Sequence, residues 1–441
     1  MTLNRKPPGQ IQKSDGMQSA VPPSRRTILL LGNRRQSLTV VRSLTKAGWK
    51  VIVGINEQDD RDAYAYRSRY VADVWHHNGW NRDEFDFSEA LNELLIRRPE
   101  IGAIYPIDET AIRQIDALRE SLVPRTVVVT TNRRALDVSL DKPSMLRLCR
   151  ETGIPHETFE VIDGAELETV GEKISLPCVV KPYDAETLYF GIKAAIVNNE
   201  TELRALAGRD DWAGRKLIVQ EFAKGPRHSV HFAAKNGELR AVCDVLVHRT
   251  DRLDGTGVAV SGVTVQPTDD IVQDIRVLAK ALDYTGIGLA QYLIDPATGK
   301  RCFIELNPRL GGNYTIADFV GHPLAVWAVE LAQGHDIGDN KGLIACQIGA
   351  RFARSFGSLA GCRFEQRNGV INSVQVVKIL LLTLWEAMRA NVHTTWTWRD
   401  PMPSLLEFAR SLSRKPTPEI APVIVQATNS KRSAADPATG S

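Results

Sequence analysis

The stretch that decides the fold runs from Leu289 to Arg309 and reads LAQYLIDPATGKRCFIELNPR. Two apolar runs flank Asp-Pro-Ala-Thr-Gly, a sequence typical of a turn, so the pattern predicts an antiparallel hairpin. Folding the chain about this turn places Gln291 opposite about position 304, beside Glu305. Because side chains alternate along a strand, Glu305 and Asn307 share one face. The converging side-chain oxygens suit Mg²⁺, which usually keeps several water ligands and is also bound by substrate phosphates. The alternative interpretation is an exposed polar hairpin without a metal.

The hairpin also carries a family resemblance. Gln291, followed fourteen positions later by Glu305-Leu306-Asn307-Pro308-Arg309, resembles the metal-binding end of ATP-grasp enzymes. Glutamine as the first ligand is most similar to the carbamoyl-phosphate synthetase type. The resemblance extends over residues 27 to about 335. It implies ATP as the nucleotide, Mg²⁺ as the metal with Mn²⁺ as a substitute, and Gln291, Glu305 and Asn307 as metal ligands.

The expected fold class is α/β. A β-α-β pattern opens the chain over Thr27–Ile55 and predicts a parallel sheet. Only Gly32 stands where a dinucleotide-binding glycine motif would need several glycines, so an NAD site is disfavoured. The resemblance implies a Rossmann-like pre-ATP-grasp domain, a two-lobed α+β ATP-grasp fold and a helical extension. We expect the following division: a disordered arm at 1–25, the N-terminal domain at 26–135, the ATP-grasp domain at 136–335 with lobes at about 136–220 and 221–335, the helical extension at 336–415 and a disordered tail at 416–441.

Composition narrows the functional classes. A net charge of +3 over 441 residues does not indicate a nucleic-acid partner. The six cysteines form no CxxC pair, which argues against zinc and a disulfide framework and fits a reducing cytoplasm. The apolar run Ile379–Trp385 is too short to span a bilayer. The adjacent histidines His76 and His77 are expected to be solvated loop residues.

Two lysines are candidates for phosphate binding. Lys142 follows Asp141, a good helix N-cap, and the resemblance gives it contact with the nucleotide phosphates. Lys181 ends a β-branched strand and resembles the family's second phosphate-contacting lysine, so we also give it a catalytic role. The following segment, Tyr183–Phe190, is acidic and aromatic where most members have a glycine-rich loop, and it is a poor phosphate cradle.

The resemblance further identifies a hinge between the lobes. Its strand backbone would face adenine and is formed by Gln220, Glu221, Phe222 and Ala223. Arg227 stands where a glutamate usually contacts ribose or metal, and since arginine accepts no hydrogen bond, it is a candidate for binding an anionic substrate.

The implied reaction is ATP-dependent ligation. A small carboxylate becomes an acyl phosphate, an amine displaces phosphate, and Arg309 is the candidate catalytic residue that stabilises the transferring group. The partners are therefore a small carboxylate and an amine, with a homodimer as one possible assembly. Two alternatives stay open: activation of bicarbonate or carbamate, and a nucleotide-binding regulator without catalysis.

Overall fold

The structure is a computed structural model. It describes residues 26–56, 64–80, 87–122, 126–183, 194–208, 212, 214–338 and 342–413. The predicted arm at 1–25, the predicted tail at 416–441 and all of the atypical loop after Tyr183 lie outside the described residues.

The N-terminal part is a five-stranded parallel sheet with strand order β3-β2-β1-β4-β5. Strands β1 and β4 are buried throughout, as expected for the centre of a parallel sheet covered on both faces. The strand order reverses between β1 and β4, which opens a crevice at their carboxyl ends. Its elements are β1 (Thr27–Leu31), α1 (Arg35–Lys46), β2 (Lys50–Asn56), β3 (Asp73–His77), α2 (Phe87–Arg97), β4 (Ile101–Pro106), α3 (Glu109–Leu118) and β5 (Val127–Val128).

The expectation for His77 was wrong. This residue ends β3 and is buried against the rings of Trp75, Trp80 and Phe87. Phe87 lies outside the local sequence pattern around the histidine, so the local sequence did not reveal the packing. Burial lowers the pKa of His77 to about 4. His76 is exposed.

A second unit is a four-stranded sheet with order β6-β9-β7-β8. The helix that precedes it, α5, begins as predicted, because the Asp141 side chain accepts a hydrogen bond from the Ser144 N–H. It ends at Gly153, whose φ of 74° is the left-handed conformation that glycine favours. The elements are α4 (Arg133–Ser139), α5 (Lys142–Thr152), β6 (Phe159–Asp163), β7 (Cys178–Pro182), β8 (Ala195–Val197), α6 (Glu200–Ala207) and β9 (Lys216–Glu221).

The largest sheet has seven strands in the order β14-β13-β10-β11-β12-β15-β16. Four neighbouring pairs from β14 to β12 are antiparallel, and they include the predicted hairpin. The elements up to this point in the chain are β10 (Arg227–Lys235), β11 (Glu238–Thr250), β12 (Ala259–Val265), α7 (Asp269–Ala281), β13 (Gly286–Ile294), β14 (Arg301–Asn307), α8 (Thr315–Phe319) and α9 (Leu324–Ala332).

The C-terminal segment contains more than the predicted helices. Besides α10 (Ser355–Arg367), α11 (Ser373–Arg389) and α12 (Met402–Ser413), it has β15 (Arg351–Ala353) and β16 (Val392–His393). Strand β15 pairs with β12, and β16 pairs with β15, so this segment completes the large sheet. Strands of three and two residues are too short to show an alternating pattern in the sequence. No helix in the described part of the chain combines the length and hydrophobicity that crossing a bilayer requires.

One hydrophobic core joins the N-terminal sheet to the large sheet. It is continuous from Ile28 in β1 through Ala233 in β10 to Val329 in α9. This shared core fixes the carboxyl ends of β1 and β4 beside the end of the β13–β14 hairpin, where the candidate site lies.

Candidate active site

The predicted hairpin forms, and Gln291 in β13 is paired with Glu305 in β14, within the expected register of about position 304. An irregularity directly after Gln291 shifts the register, so Tyr292 is opposite Phe303. Cross-strand partners in an antiparallel pair point to the same side of the sheet. Gln291 and Glu305 therefore present their side chains to one face.

Asn307 completes this group of oxygen-bearing side chains. Its Nδ2 donates a 2.8 Å hydrogen bond to Glu305 Oε1, and its side chain is nearly buried. That bond leaves the Asn307 Oδ1 atom available as an acceptor or metal ligand. On the other side of Gln291, β10 contributes Ser229 as the paired residue.

Nearby cations keep Glu305 ionised. Burial acts to raise the pKa of its carboxyl group, but the Asn307 hydrogen bond and the positive charges of Lys142, Arg309 and Lys181 together hold that pKa below its usual value. Three predicted site residues far apart in the sequence thus act on one carboxylate. The charge arrangement suits a metal ion together with several phosphate oxygens.

The two lysines lie side by side. Lys181 Nζ donates to Gln220 Oε1 at 3.1 Å, and Lys142 Nζ lies 3.5 Å from the Pro182 carbonyl oxygen. Burial, reinforced by the charge of Lys142, lowers the pKa of the Lys181 ammonium. The charge of Lys142 acts on the Lys181 ammonium, and like charges repel each other, so an anion bound by both lysines would relieve that repulsion.

Arg309 links the hairpin to the N-terminal domain. Its Nη2 is 3.1 Å from Oε1 of Glu109, the first residue of α3, and both side chains are largely buried. The Arg309 Nε atom is buried with no hydrogen-bond partner in the described structure. Sequence reasoning missed Glu109, and no local signal could have revealed a contact across 200 positions.

Arg227 also faces the metal hairpin. Its Nη1 donates a 3.0 Å hydrogen bond to the Gly257 carbonyl oxygen. Burial lowers its pKa, while the negative charges of Glu305 and Asp251 oppose that shift. The electrostatic effect of Glu305 on Arg227 indicates that this guanidinium lies near the candidate metal ligands, and its binding of an anionic substrate stays a prediction.

The predicted adenine hinge is partly used by the protein itself. The backbone N–H of Glu221 donates to the Thr158 carbonyl oxygen, and that of Phe222 donates to the Pro177 carbonyl oxygen. Gln220 is buried and holds Lys181, and its Nε2 atom has no hydrogen-bond partner in the described structure. A backbone donor for adenine at this hinge would therefore have to come from Ala223.

The residues fit Mg²⁺ only together with other ligands. Within the described residues, no group of three His, Cys, Asp or Glu side chains could hold a metal ion. Glu305 is the charged member of a set whose other members, Gln291 and Asn307, are neutral amides. Mg²⁺ commonly takes one or two carboxylates and completes its shell with waters and phosphate oxygens. The donor set and its cationic surroundings fit a magnesium–nucleotide complex.

Comparisons with known proteins show what family and fold this chain resembles. Residues 149–339 match the family model described as carbamoyl-phosphate synthase L chain, ATP binding domain. Over 282 residues the chain is 24% identical to the carbamoyl phosphate synthase large chain of Bifidobacterium longum. That match covers 59% of this chain and 24% of the relative, so the chain spans about a quarter of the length of such relatives.

Solved structures show the same fold. The ADP complex of N5-carboxyaminoimidazole ribonucleotide synthetase matches with a TM-score of 0.57 and 13% identity, covering 76% of this chain and 82% of that one. Biotin carboxylase from Campylobacter jejuni matches with a TM-score of 0.54 and 17% identity, covering 74% of each chain. The family-model match, the curated relatives and these structural neighbours together support membership of the ATP-grasp superfamily. The neighbours confirm the predicted mixed α/β fold class.

Proposed function

We propose that this ATP-grasp protein is a ligase that activates a small carboxylate as an acyl phosphate and joins it to an amine, releasing ADP and phosphate. One observation carries the proposal: the ionised Glu305, in register with Gln291 and bonded to Asn307, is surrounded by Lys142, Lys181 and Arg309. Phosphoryl transfer needs little covalent help from a protein and depends mostly on positioning and charge. Glu305 and the three cations around it would supply both the positioning and the charge.

Gln291, Glu305 and Asn307 would hold Mg²⁺, with Mn²⁺ as a substitute. When bound, the metal supplies charge neutralisation across the β and γ phosphates. Lys142 and Lys181 would bind nucleotide phosphate oxygens, and the relief of their mutual repulsion would favour that binding. Ala223 would provide the backbone donor to adenine, beside Gln220, Glu221 and Phe222.

Arg309 would act on the group in transfer. A carboxylate oxygen attacks the γ-phosphorus, the bond to the ADP oxygen breaks, and negative charge spreads over the transferring phosphoryl oxygens. The amine nitrogen then attacks the acyl carbon, loses a proton, and phosphate leaves with the former carboxylate oxygen. Arg309 is held by Glu109 at the boundary between the metal hairpin and the N-terminal domain. From there its guanidinium would stabilise the phosphoryl charge.

Bicarbonate is the second candidate for the activated carboxylate. The relatives named carbamoyl phosphate synthase favour it, as does a structural neighbour, the biotin carboxylase domain of a Hydrogenobacter thermophilus 2-oxoglutarate carboxylase in complex with MgADP and bicarbonate. A neighbour that favours an organic carboxylate is an L-amino acid ligase from Bacillus licheniformis, with a TM-score of 0.53 and 14% identity. The substrate pair therefore has to be found by experiment.

A phosphate-release screen tests the proposal. The full chain is incubated with ATP, Mg²⁺ and an array of amino acids, small carboxylic acids and bicarbonate, each with and without an amine. We expect phosphate release to require one carboxylate and to rise with one class of amine. The Glu305→Gln variant should be inactive in every productive well.

The screen also separates the ligase from a nucleotide-binding regulator. A regulator would bind ATP and release no phosphate in any well. The gathering of Lys142, Lys181 and Arg309 around Glu305 favours catalysis, because simple nucleotide retention does not need a third cation at the same carboxylate.

A further inference from the structure

The side of helix α11 (Ser373–Arg389) that faces the protein combines polar and apolar residues. Thr383 is the buried residue among those described in this helix, and its hydroxyl lies 2.7 Å from the Ser358 hydroxyl. Glu386 accepts hydrogen bonds at 2.6 Å from Arg249 Nη2 and from the Ser261 hydroxyl. Ile379 and Val376, one and two turns before Thr383 on the same side, are half-buried, so the helix is held by this polar network together with partly buried apolar residues.

The side of α11 that faces away from the protein is apolar. Eight of its residues are between 40% and 71% exposed. We call them the α11 apolar face: Val374, Val377, Leu380, Leu381, Leu382, Leu384, Trp385 and Met388. A surface helix of a globular protein normally has the opposite arrangement. An inverted helix of this kind indicates a surface that another apolar surface covers.

The spacing of the most exposed residues points to a helical partner. Val374, Val377, Leu381, Leu384 and Met388 follow one another at intervals of three, four, three and four residues. This is the a/d repeat of a heptad, which aligns an apolar seam with a second helix over its full length. Seventeen residues make a helix of about 25 Å, enough for more than two heptads.

We propose that the α11 apolar face is the contact between two copies of this chain, each presenting the same helix about a twofold axis. Eight large apolar side chains, each at least 40% exposed, are available to leave water when two such faces meet, and a standard interface buries ~800 Å² on each partner. Lys378 is the one charged residue between Val374 and Trp385, so no row of like charges opposes the pairing of two identical faces.

A lipid surface fits less well. Membrane-surface helices carry several basic residues on their polar face, directed to the headgroups. In α11 the polar face is occupied by contacts with Arg249, Ser261 and Ser358. Only single basic residues of this helix, such as Lys378 and Arg389, are therefore left to attract lipid headgroups.

Sedimentation equilibrium of the full chain across the micromolar range tests the proposal. The wild-type protein should have twice the chain mass of 48.8 kDa, and the double variant Leu381→Glu/Leu384→Glu should have the single chain mass with unchanged circular dichroism. The matched control is Ile96→Glu, since Ile96 is an equally exposed apolar residue on α2, and it should leave the dimer intact.

A second variant covers the case in which the glutamates disturb folding. Leu381 lies at the centre of the seam, so Leu381→Cys should form an intermolecular disulfide under mild oxidation, whereas Ile96→Cys should not. A monomeric wild type, a dimer that survives the double substitution, or equal cross-linking by the two cysteine variants would overturn the proposal. Flotation of a monomeric wild type with phosphatidylcholine–phosphatidylglycerol vesicles would also overturn it, in favour of a lipid surface.

Discussion

Replacing Glu305 by glutamine removes the charge from the candidate metal site while keeping its shape. The new amide oxygen can still accept the 2.8 Å hydrogen bond from Asn307 Nδ2. Gln291 and Asn307 are neutral, so the substitution leaves a ligand set without a carboxylate. Loss of outer-shell groups at metal sites typically costs 10-fold to 100-fold in affinity. Loss of a direct, charged ligand should lower the Mg²⁺ affinity by at least ~100-fold, which is about 2.7 kcal/mol of binding free energy.

The assay does not require the substrates. The unfolding temperature of the full chain is measured with ATP at increasing Mg²⁺, because a ligand that binds only the folded state raises it. The wild type should show a rise that saturates with Mg²⁺, and Glu305→Gln should need at least ~100-fold more Mg²⁺ for the same rise. Glu160→Gln, on β6, is the matched strand control. An identical Mg²⁺ dependence for the wild type and Glu305→Gln would refute the role of Glu305.

Three further predictions concern other residues. Lys181→Ala should weaken ATP binding by roughly 10-fold to 100-fold, because a charged hydrogen bond is lost. The protein should lose little stability, because burial already disfavours the Lys181 ammonium. An unaltered ATP affinity in calorimetric titration would remove Lys181 from the site. Arg309→Lys should lower kcat by about 100-fold with a small change in ATP affinity, since lysine lacks the planar, fork-shaped guanidinium group of arginine. An unchanged kcat in steady-state kinetics would contradict this. Burial lowers the pKa of His77 from 6.5 to about 4 in the folded protein. Protonation of His77 therefore does not reduce the free energy of unfolding above pH 6.5, but it reduces that free energy by about 3 kcal/mol as the pH falls to 4. In urea unfolding at neutral and acidic pH, His77→Phe should lose less stability than the wild type, and an equal loss in both proteins would disprove the assignment.

The hairpin could be predicted from sequence because its determinants are local. The turn at Asp295–Gly299 and the alternation on both sides fix which residues share a face, and the structure pairs Gln291 with Glu305. The alternation gives this register only approximately, because the strand irregularity directly after Gln291, which sets Glu305 as its partner, is not encoded in the apolar alternation. The start and end of α5 were predictable for the same local reason, through Asp141 and Gly153.

The contacts that join distant segments could not be predicted. The Arg309–Glu109 pair depends on how the large sheet packs against the N-terminal sheet, which no spacing in the sequence reveals. The use of the Glu221 and Phe222 N–H groups depends on the neighbouring segments at Thr158 and Pro177. The hydrogen bonds of Thr383 and Glu386 in α11 likewise depend on partners in other elements, which are Ser358, Arg249 and Ser261.

The most direct test of the proposed function follows oxygen from the carboxylate into phosphate. The carboxylate found in the phosphate-release screen is labelled with ¹⁸O in its carboxyl group and incubated with the amine, ATP and Mg²⁺, and the products are analysed by mass spectrometry. Activation through an acyl phosphate predicts one ¹⁸O atom in the released inorganic phosphate, with ADP as the nucleotide product. Unlabelled phosphate during amide formation, or AMP and pyrophosphate as products, would contradict it.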